Sequence, residues 1–211
     1  MGGDEFTVIL NGGSGGLAAI AERLAATLGE PFAIEGLRVQ VGASGGVDVS
    51  CLQFAKMVGC EVYACTSSAE KGEKLKALGA DHIIDYVETP EFSRAVWTAT
   101  GKTGVDVAIN FTGGDTWIQI QRSMATGGRI LTCGSTAGHI CDIDVRFLWH
   151  RETEIIGSRA YVPEDRGACL AHVAPAQRSP VGGSVLPLER AAEGVRLLED
   201  RRIFGKVIVT P

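Results

Sequence analysis

Short apolar, β-branched runs alternate with amphipathic stretches from about residue 37 to residue 157. The short runs predict strands, and apolar residues spaced by three and four predict helices. The predicted strands are Leu37–Gly42, Glu61–Thr66, His82–Asp85, Val105–Asn110, Arg129–Cys133 and Glu154–Gly157. The predicted helices between them are Val47–Val58, Ala69–Leu78, Pro90–Thr98 and Thr116–Met124.

Each helical stretch is long enough to return the chain parallel to the previous strand. The pattern therefore predicts an α/β fold, a doubly wound parallel Rossmann sheet of about six strands with a small N-terminal α+β appendage. In the appendage we expect a strand in FTVIL, a helix in LAAIAERLAATL and a hairpin turning at Glu35-Gly36. After residue 157 we expect a helix in VPEDRGACLAHV, a loop in APAQRSPVGGSVLP, a helix in LERAAEGVRLLEDRRI and a last strand in GKVIVT.

Composition narrows the function classes. Of 211 residues, 45% are hydrophobic and 21% are charged, as in ordinary globular proteins. The formal charge of −5 and the lack of a Lys/Arg stripe argue against nucleic acid as a partner. No apolar run could span a membrane and no signal segment is evident, so we expect a cytoplasmic protein. The six cysteines form no C-x-x-C pair, which favours buried small residues over disulfides or zinc ligands, and no metal site is predicted.

A glycine-rich loop follows the first strand of the predicted sheet and precedes a helix. Backbone N–H groups and a helix N-terminus in such a loop point at an anion, which suits the pyrophosphate of a dinucleotide. The candidate cofactor-binding residues of this loop are Gly42, Ala43, Ser44, Gly45, Gly46 and Val47.

The second predicted strand ends in ACTSS and carries no acidic residue where proteins that select NAD place Asp or Glu. Hydroxyl groups and a nearby cation suit the 2′-phosphate of NADP better than a carboxylate would. The candidate contacts are Thr66, Ser67, Ser68 and Lys71. NADP is therefore the predicted cofactor, with NAD as the alternative. Ser68 is also a candidate N-cap for the next helix, which either cofactor allows.

Five segments in order resemble landmarks of the medium-chain dehydrogenase/reductase superfamily, in its zinc-type alcohol dehydrogenase and quinone oxidoreductase branch. They are GASGGV, KLKALGADHIIDY, TGKTGVDVAINFTGGDTW, MATGGRILTCGSTAG and LPLERAAEGVRLLEDRRIFGKVIV. The resemblance covers about residues 38–211 and implies an NADP-dependent oxidoreductase that transfers hydride to or from a carbonyl, enone or quinone. It implies that Tyr86 lies near the adenosine 2′-phosphate. It also implies that the cofactor groove is lined by Thr112, Gly113, Gly134, Ser135 and Thr136.

Residues 1–41 resemble the second half of a GGDEF domain, the diguanylate cyclase family, whose signature stands here as Gly2-Gly3-Asp4-Glu5-Phe6. The two resemblances together predict a chimera with a truncated GGDEF segment over 1–36, a dinucleotide-binding domain over 37–160 and a dehydrogenase tail over 161–211. The other metal-binding Asp of GGDEF domains precedes the signature, so cyclase activity is not expected. The alternatives are a signalling fragment that binds a guanine nucleotide and an inactive scaffold.

The dehydrogenase resemblance also implies that the N-terminal catalytic domain of the superfamily is missing, so we expect impaired catalysis and assign neither a substrate nor catalytic residues. Asp115, His150 and His172 are lone polar residues near loops and receive no catalytic role. A homodimer through the last strand of the sheet, near Glu154–Ser158, is the implied partner. The apolar tail residues are expected to be exposed unless another segment or subunit covers them; these are Leu188, Ala191, Val195 and Leu198.

Asp48 stands where the superfamily has the third glycine of its loop motif. A carboxylate there suits the N-terminus of the following helix but repels a diphosphate. At ~5–6 Å and an effective dielectric constant of about 20, like charges repel by roughly 3 kcal/mol, or about two decades in affinity. We expect Asp48→Gly to tighten dinucleotide binding by about that factor in calorimetry. Equal, tight binding by both proteins would contradict the repulsion.

Overall fold

The computed structural model describes residues 7–8, 38–42, 47–57, 59–158, 182–200 and 204–210. Three predicted features lie outside these residues: the helix in LAAIAERLAATL, the hairpin at Glu35-Gly36 and the helix in VPEDRGACLAHV.

A parallel sheet forms the centre of the described structure. Its strands are β2 (Arg38–Gly42), β3 (Glu61–Thr66), β4 (His82–Asp85), β5 (Val105–Asn110), β6 (Met124–Thr132) and β7 (Glu154–Gly157). Their order is β4-β3-β2-β5-β6-β7, so that β2 lies inside the sheet with β3 and β5 on either side. A two-residue strand, β1 (Thr7–Val8), pairs antiparallel with the end of β2. The predicted doubly wound α/β sheet is confirmed.

Helices cover both faces of this sheet. They are α1 (Val47–Met57), α2 (Ala69–Ala77), α3 (Phe92–Ala99), α4 (Thr116–Ser123) and α5 (Val145–Arg151). The side chains of β3 alternate between the two faces as the period of two requires. Val62 and Ala64 pack with the cluster that contains α1 and α2, while Tyr63 and Cys65 pack with the cluster that contains α3 and α4. The core therefore has two layers, one on each side of the sheet.

Strand β6 begins earlier than the sequence predicts, at Met124 instead of Arg129. Val105 pairs with Met124, yet Val107 pairs with Arg129, so the register shifts between these two pairs. Several residues of β6 therefore bulge out of the ladder. The bulge contains a glycine with positive φ, Gly127, which is why this stretch did not read as a strand.

Two further elements differ from the sequence expectation. Helix α5 was not predicted; its N-cap is Asp144, whose side chain accepts a hydrogen bond from the backbone N–H of Arg146. The end of the predicted loop after residue 173 is a strand, β8 (Gly182–Pro187), so that part of the prediction is wrong. Gly and Pro suggested a loop, but parallel pairing with another strand outweighs that composition.

The partner of β8 is β9 (Lys206–Thr210), and the two are joined through a short 3-10 turn (Leu188–Arg190) and helix α6 (Ala191–Glu199). Helix α6 packs closely against β9 at Gly194. A Cβ at this position would lie 2.7 Å from Val207 Cγ1. On the outer side of this unit, Leu188 is 62% exposed and Val195 is 54% exposed, as expected. Ala191 is half-buried, and the side chain of Leu198 lies outside the described structure. No helix in the described ranges is long and apolar enough to cross a membrane.

A polar clip joins the end of α1 to the starts of β3 and β4. Lys56 Nζ donates to Asp81 Oδ2 at 2.7 Å and to the carbonyl oxygen of Cys60 at 2.9 Å. Asp81 Oδ2 also accepts the backbone N–H of Val62 at 2.7 Å, and the Asp81 N–H donates back to the Val62 carbonyl. The clip satisfies backbone groups at the point where the chain enters two neighbouring strands.

We expect Asp81→Ala to lower the free energy of unfolding by about 1–2 kcal/mol, because the Val62 N–H loses its acceptor while it stays partly buried. Denaturant unfolding monitored by circular dichroism measures the change. Glu70→Ala is the matched control, since it removes an exposed carboxylate that pairs with Lys74 across one helical turn. A loss no larger than that of the control would show that the clip contributes nothing.

Candidate functional site

The carboxyl ends of β3, β2 and β5 lie level with one another. Gly42 is paired with Cys65 of β3, and Val41 is paired with Ile109 of β5. Helices α1 and α2 pack on one face of the sheet, and α3 and α4 on the other. The helix that follows β2 and the helix that follows β5 therefore cover opposite faces of the sheet. In doubly wound sheets the crevice at such a reversal of the winding is the usual ligand site.

Asn110 shapes the wall of this crevice on the β5 side. Its side chain is buried, 1% exposed, at the last residue of β5. Asn110 Oδ1 accepts the backbone N–H of Thr112 at 2.8 Å and that of Gly113 at 3.1 Å. Its Nδ2 has no hydrogen-bond partner in the described structure. One buried amide therefore holds the turn in which two predicted cofactor residues lie.

The loops after β5 and β6 are joined backbone to backbone. Gly113 and Gly138 form a parallel bridge, and the Gly114 N–H donates to the Gly138 carbonyl at 3.0 Å. The Ala137 N–H donates to the Thr112 carbonyl at 2.8 Å. A Cβ at Gly113 would lie 2.2 Å from the Gly138 oxygen, so only glycine allows this approach.

The predicted residues after β6 therefore lie beside those after β5. The Thr136 N–H donates to the Phe111 carbonyl at 3.3 Å, and a Cβ at Gly134 would lie 3.0 Å from the same oxygen. Gly134, Ser135 and Thr136 are exposed on the open side of this double loop. The structure thus brings five predicted residues together; they are Thr112, Gly113, Gly134, Ser135 and Thr136.

A second group of predicted residues meets at the ends of β3 and β4. Thr66 is fully buried, and its hydroxyl group donates to the carbonyl oxygen of Ser68, so it holds the turn. Ser68 Oγ accepts the backbone N–H of Lys71 at 3.4 Å and caps α2. The Tyr86 N–H donates to the Thr66 carbonyl at 2.9 Å. Ser67 and Lys71 are half-buried, so their side chains are partly accessible to a ligand.

A groove of about 770 Å³ opens at this second group. Its lining residues include Thr66, Ser67, Ser68, Lys76, Asp81 and Asp85. Two of its carboxylates are already engaged. Asp81 belongs to the clip with Lys56, and Asp85 Oδ1 accepts the backbone N–H groups of Val87 at 2.9 Å and Glu88 at 3.3 Å. Glu73 and Glu88 also line the groove, and both are exposed.

Of the remaining predicted cofactor residues, the structure describes Gly42 and Val47. Gly42 ends β2 and Val47 begins α1. Ala43, Ser44, Gly45 and Gly46 lie outside the described residues, so their role stays a prediction. Asp48 falls in the first turn of α1, as the sequence requires. Asp115 and His150 are exposed, and His172 lies outside the described residues.

Sequence reasoning missed the buried clamp, Asn110, and the glycine that faces Gly113, Gly138. A polar residue at the end of an apolar strand, such as Asn110, is weak evidence for a functional role. Such residues are also common where a strand simply leaves the core. Gly138 was visible in the sequence as one glycine in the loop after β6. Nothing in the sequence indicated that this glycine contacts the loop after β5.

The sequence profile of one family, described as zinc-binding dehydrogenase, matches residues 46–174. That range begins at the last glycine of the loop and contains every element from α1 to β7. The chain belongs to the zinc-binding dehydrogenase family. The match lies within the dehydrogenase resemblance seen in the sequence and confirms it. Nothing in these comparisons supports a GGDEF interpretation of residues 1–41 or a chimera.

Three relatives illustrate the family. Acryloyl-coenzyme A reductase of Sulfurisphaera tokodaii is 28% identical over 81% of this chain and 49% of its own. A crystal structure of an NAD-dependent alcohol dehydrogenase superposes with a TM-score of 0.74 and 37% identity, over 80% of this chain and 49% of that one. The 2-octenoyl-CoA carboxylase reductase CinF, solved with NADP and 2-octenoyl-CoA, gives a TM-score of 0.73 and 29% identity, over 79% and 41%. The chain therefore spans about half the length of the reductase it matches.

The family name raises the question of a zinc site. Within the described ranges, no group of three or more His, Cys, Asp or Glu side chains is placed to hold a metal ion. The five described cysteines form no disulfide; Cys60 and Cys65 are buried as expected, and burial raises the pKa of Cys60 to about 12. Cys133 is exposed, which corrects the expectation of burial. These residues do not fit a zinc centre, and no chemical step is assigned to one.

We expect Gly113→Ala to lower the free energy of unfolding by about 2 kcal/mol or more and to weaken dinucleotide binding, because the added Cβ pushes the two loops apart. Gly127→Ala is the matched control. Its φ of +73° is close to the +70° of Gly113, but a Cβ there meets nothing within 4 Å. Thermal unfolding and calorimetry on both variants separate the clash from backbone strain. Equal losses in both would contradict the clash.

Proposed function

We propose that this member of the zinc-binding dehydrogenase family forms the NADP-binding part of an oxidoreductase. One observation carries the proposal. In the strand order, the residues predicted to contact the 2′-phosphate follow β3 and β4, those predicted to line the cofactor groove follow β5 and β6, and β2, which precedes the glycine loop in the sequence, lies between them. A dinucleotide that crosses the edge at the point where the winding reverses meets all three.

The backbone supplies much of the binding in this proposal. The Gly113–Gly138 bridge lets the loops after β5 and β6 pack main chain against main chain, so that Thr112 and Ser135 belong to one wall. Asn110 keeps the turn in place through the two N–H groups it accepts, so the wall is formed before the ligand arrives. The buried Nδ2 of Asn110 is a further donor at this edge.

The preference for NADP rests on the end of β3. The end of β3 itself carries no Asp or Glu, and Asp85, at the end of β4, holds its own turn by accepting two backbone N–H groups through Oδ1. Ser67 and Lys71 are partly accessible at the same place, and they suit a phosphate. CinF was solved with NADP, which agrees, whereas the alcohol dehydrogenase with the TM-score of 0.74 is described as NAD-dependent, so NAD is the alternative that the experiment must test.

The reaction class we propose is hydride transfer to or from an activated double bond, namely a carbonyl, an enone or a quinone. A bound nicotinamide supplies the hydride chemistry, while the protein binds and orients it. The names of acryloyl-coenzyme A reductase and CinF favour an α,β-unsaturated thioester as the substrate class. The substrate itself stays open, because the chain spans about half of the relatives that act on such compounds.

A homodimer stays part of the proposal. Strand β7 is the edge strand of the sheet, and its Ile155 is 38% exposed. On the neighbouring helix α5, Val145 is 63% exposed and Trp149 is 69% exposed. An open strand edge next to exposed apolar side chains favours pairing with a second copy.

Calorimetric titration of the wild-type chain with NADPH and NADH tests the proposed function. The same titrations of Asp48→Gly, which is expected to bind more tightly, keep the comparison measurable if the wild type binds weakly. We expect NADPH to bind more tightly than NADH. Ser67→Asp should weaken NADPH binding by about tenfold or more and leave NADH binding equal or stronger, because the new carboxylate repels the 2′-phosphate.

Thr98→Asp is the control, since it adds the same charge on an exposed part of α3. No binding of either dinucleotide in both backgrounds would contradict the proposed function. An equal effect of Ser67→Asp on both cofactors would contradict the preference for NADP alone.

A further inference from the structure

A group of arginine side chains surrounds a second groove, which lies between α3, α4 and α5. The groove has a volume of about 520 Å³. It is lined by Arg94, Arg122, Asp144, Arg146, Phe147 and His150. Three arginines face one carboxylate there, in a chain whose formal charge is −5. This concentration of positive charge runs against the charge of the whole protein.

Arg122 lies toward the amino ends of the strands, whereas Arg94 is in the first turn of α3, the helix that follows β4. Arg122 is in the last turn of α4, which runs back across the sheet from the end of β5 to the start of β6. Arg151, at the end of α5, donates from Nη1 to the carbonyl oxygen of Met124, the first residue of β6, at 2.7 Å. The dinucleotide edge is formed by the opposite, carboxyl ends of the same strands. The two sites are therefore separate.

Arg122 is the central cation of the groove. It is half-buried, and its guanidinium lies 5.9 Å from the centre of the Phe147 ring. On the other side of the groove floor, the guanidinium of Arg151 lies 5.7 Å from the same ring and 4.3 Å from that of Trp97. No carboxylate in the described part of the chain forms an ion pair with Arg122. The Phe147 ring thus flanks a cation for which the described residues supply no ion-pair partner.

The other charges of the groove leave this cation uncompensated. Asp144 is committed to Arg146, which donates from Nε at 2.9 Å and from Nη2 at 2.8 Å. The hydrogen bond from Arg146 holds the pKa of Asp144 below its usual range, and the charge of Arg122 adds a smaller effect. Arg94 pairs with Glu91, which does not line the groove. Arg94 and Arg146 are both 80% exposed at their side chains, so both can turn toward an anion.

We propose that this groove binds the phosphate or pyrophosphate group of a small ligand, with Arg122 as the principal contact and Arg94 and Arg146 on either side. Guanidinium groups bind phosphate oxygens through paired, charge-assisted hydrogen bonds. The Phe147 ring is already flanked by the guanidinium groups of Arg122 and Arg151, so it is not available to stack on a nucleotide base. We therefore expect the groove to recognise the phosphate group of a ligand and not its base. The group can belong to a free polyphosphate or to the phosphorylated end of a larger ligand.

Titration of the full chain with inorganic pyrophosphate at low salt tests the site. We expect binding that Arg122→Gln weakens by about tenfold to a hundredfold, the loss typical of a hydrogen bond to a charged group. Asp144→Asn should tighten binding by about threefold, because it removes the opposing charge and releases Arg146. Asn caps a helix as well as Asp does, so α5 keeps its N-cap in that variant.

Arg190→Gln is the matched control, since it removes an exposed arginine paired with Glu193 in the unit formed by β8, α6 and β9. Pyrophosphate could also occupy the glycine loop, so the arginine variants decide which site is measured. Coenzyme A and 3′-dephospho-coenzyme A, titrated in parallel, distinguish a phosphorylated substrate end from a free polyphosphate. Discrimination between them by the wild type, lost in Arg122→Gln, assigns the groove to the 3′-phosphate.

The proposal is overturned by any of three results: no pyrophosphate binding, equal binding by Arg122→Gln and Arg190→Gln, or weaker binding by Asp144→Asn. Thermal unfolding of each variant checks that it is folded. If Arg122→Gln does not fold, the direction of the Asp144→Asn effect decides alone. NADPH binding should be unchanged in Arg122→Gln, so failure of this site and failure of the dinucleotide site are distinguishable.

Discussion

The placement of β2 between β3 and β5 is the constraint on which the rest of the structure depends. The chain winds outward from β2 to β4 with α1 and α2 on one face, then returns past β2 to β5 and continues to β7 with α3 and α4 on the other. Because right-handed crossovers put these helices on opposite faces, the winding reverses between β2 and β5. The crevice follows from the connectivity before any side chain contributes to it.

Once the crevice exists, local chemistry determines what it can hold. The wall formed by the loops after β5 and β6 depends on hydrogen bonds between main-chain groups and on one buried amide, Asn110. Such a wall presents small dipoles that do not move when a ligand binds, which favours an anion or a polar ribose. Asp48 lies in the first turn of α1. An acidic residue there suits the helix dipole and is expected to repel a diphosphate, so we expect helix stability and anion binding to compete at this position.

The sequence predicts the regular part of the fold well, because the signals there are local. Strands β3, β4, β5 and β7 begin and end at the predicted residues, since each is an apolar run bounded by a turn. The start of β6 and the whole of β8 depend on partners far away in the chain, and their glycines suggest loops. Helix α5 is short, seven residues, and only its cap Asp144 marks it. In the candidate site, glycines and hydroxyl residues could be identified, but the pairing of Gly113 with Gly138 could not, because it is a contact between two loops.

We propose that the two candidate sites bind anions by different physical means, and this difference would separate their roles. At the carboxyl edge, the proposed contacts are backbone groups and a helix N-terminus, so we expect binding to depend on shape and to select one kind of ligand. Around the half-buried Arg122, the exposed guanidinium groups of Arg94 and Arg146 add positive charge, so we expect binding to be screened by salt and to tolerate several phosphate ligands. Selectivity for a cofactor is therefore expected only at the edge of the sheet. The groove around Arg122 suits a ligand that is selected by contacts at another site, such as a substrate that places only its phosphorylated end here. It also suits a free anion that binds according to its concentration.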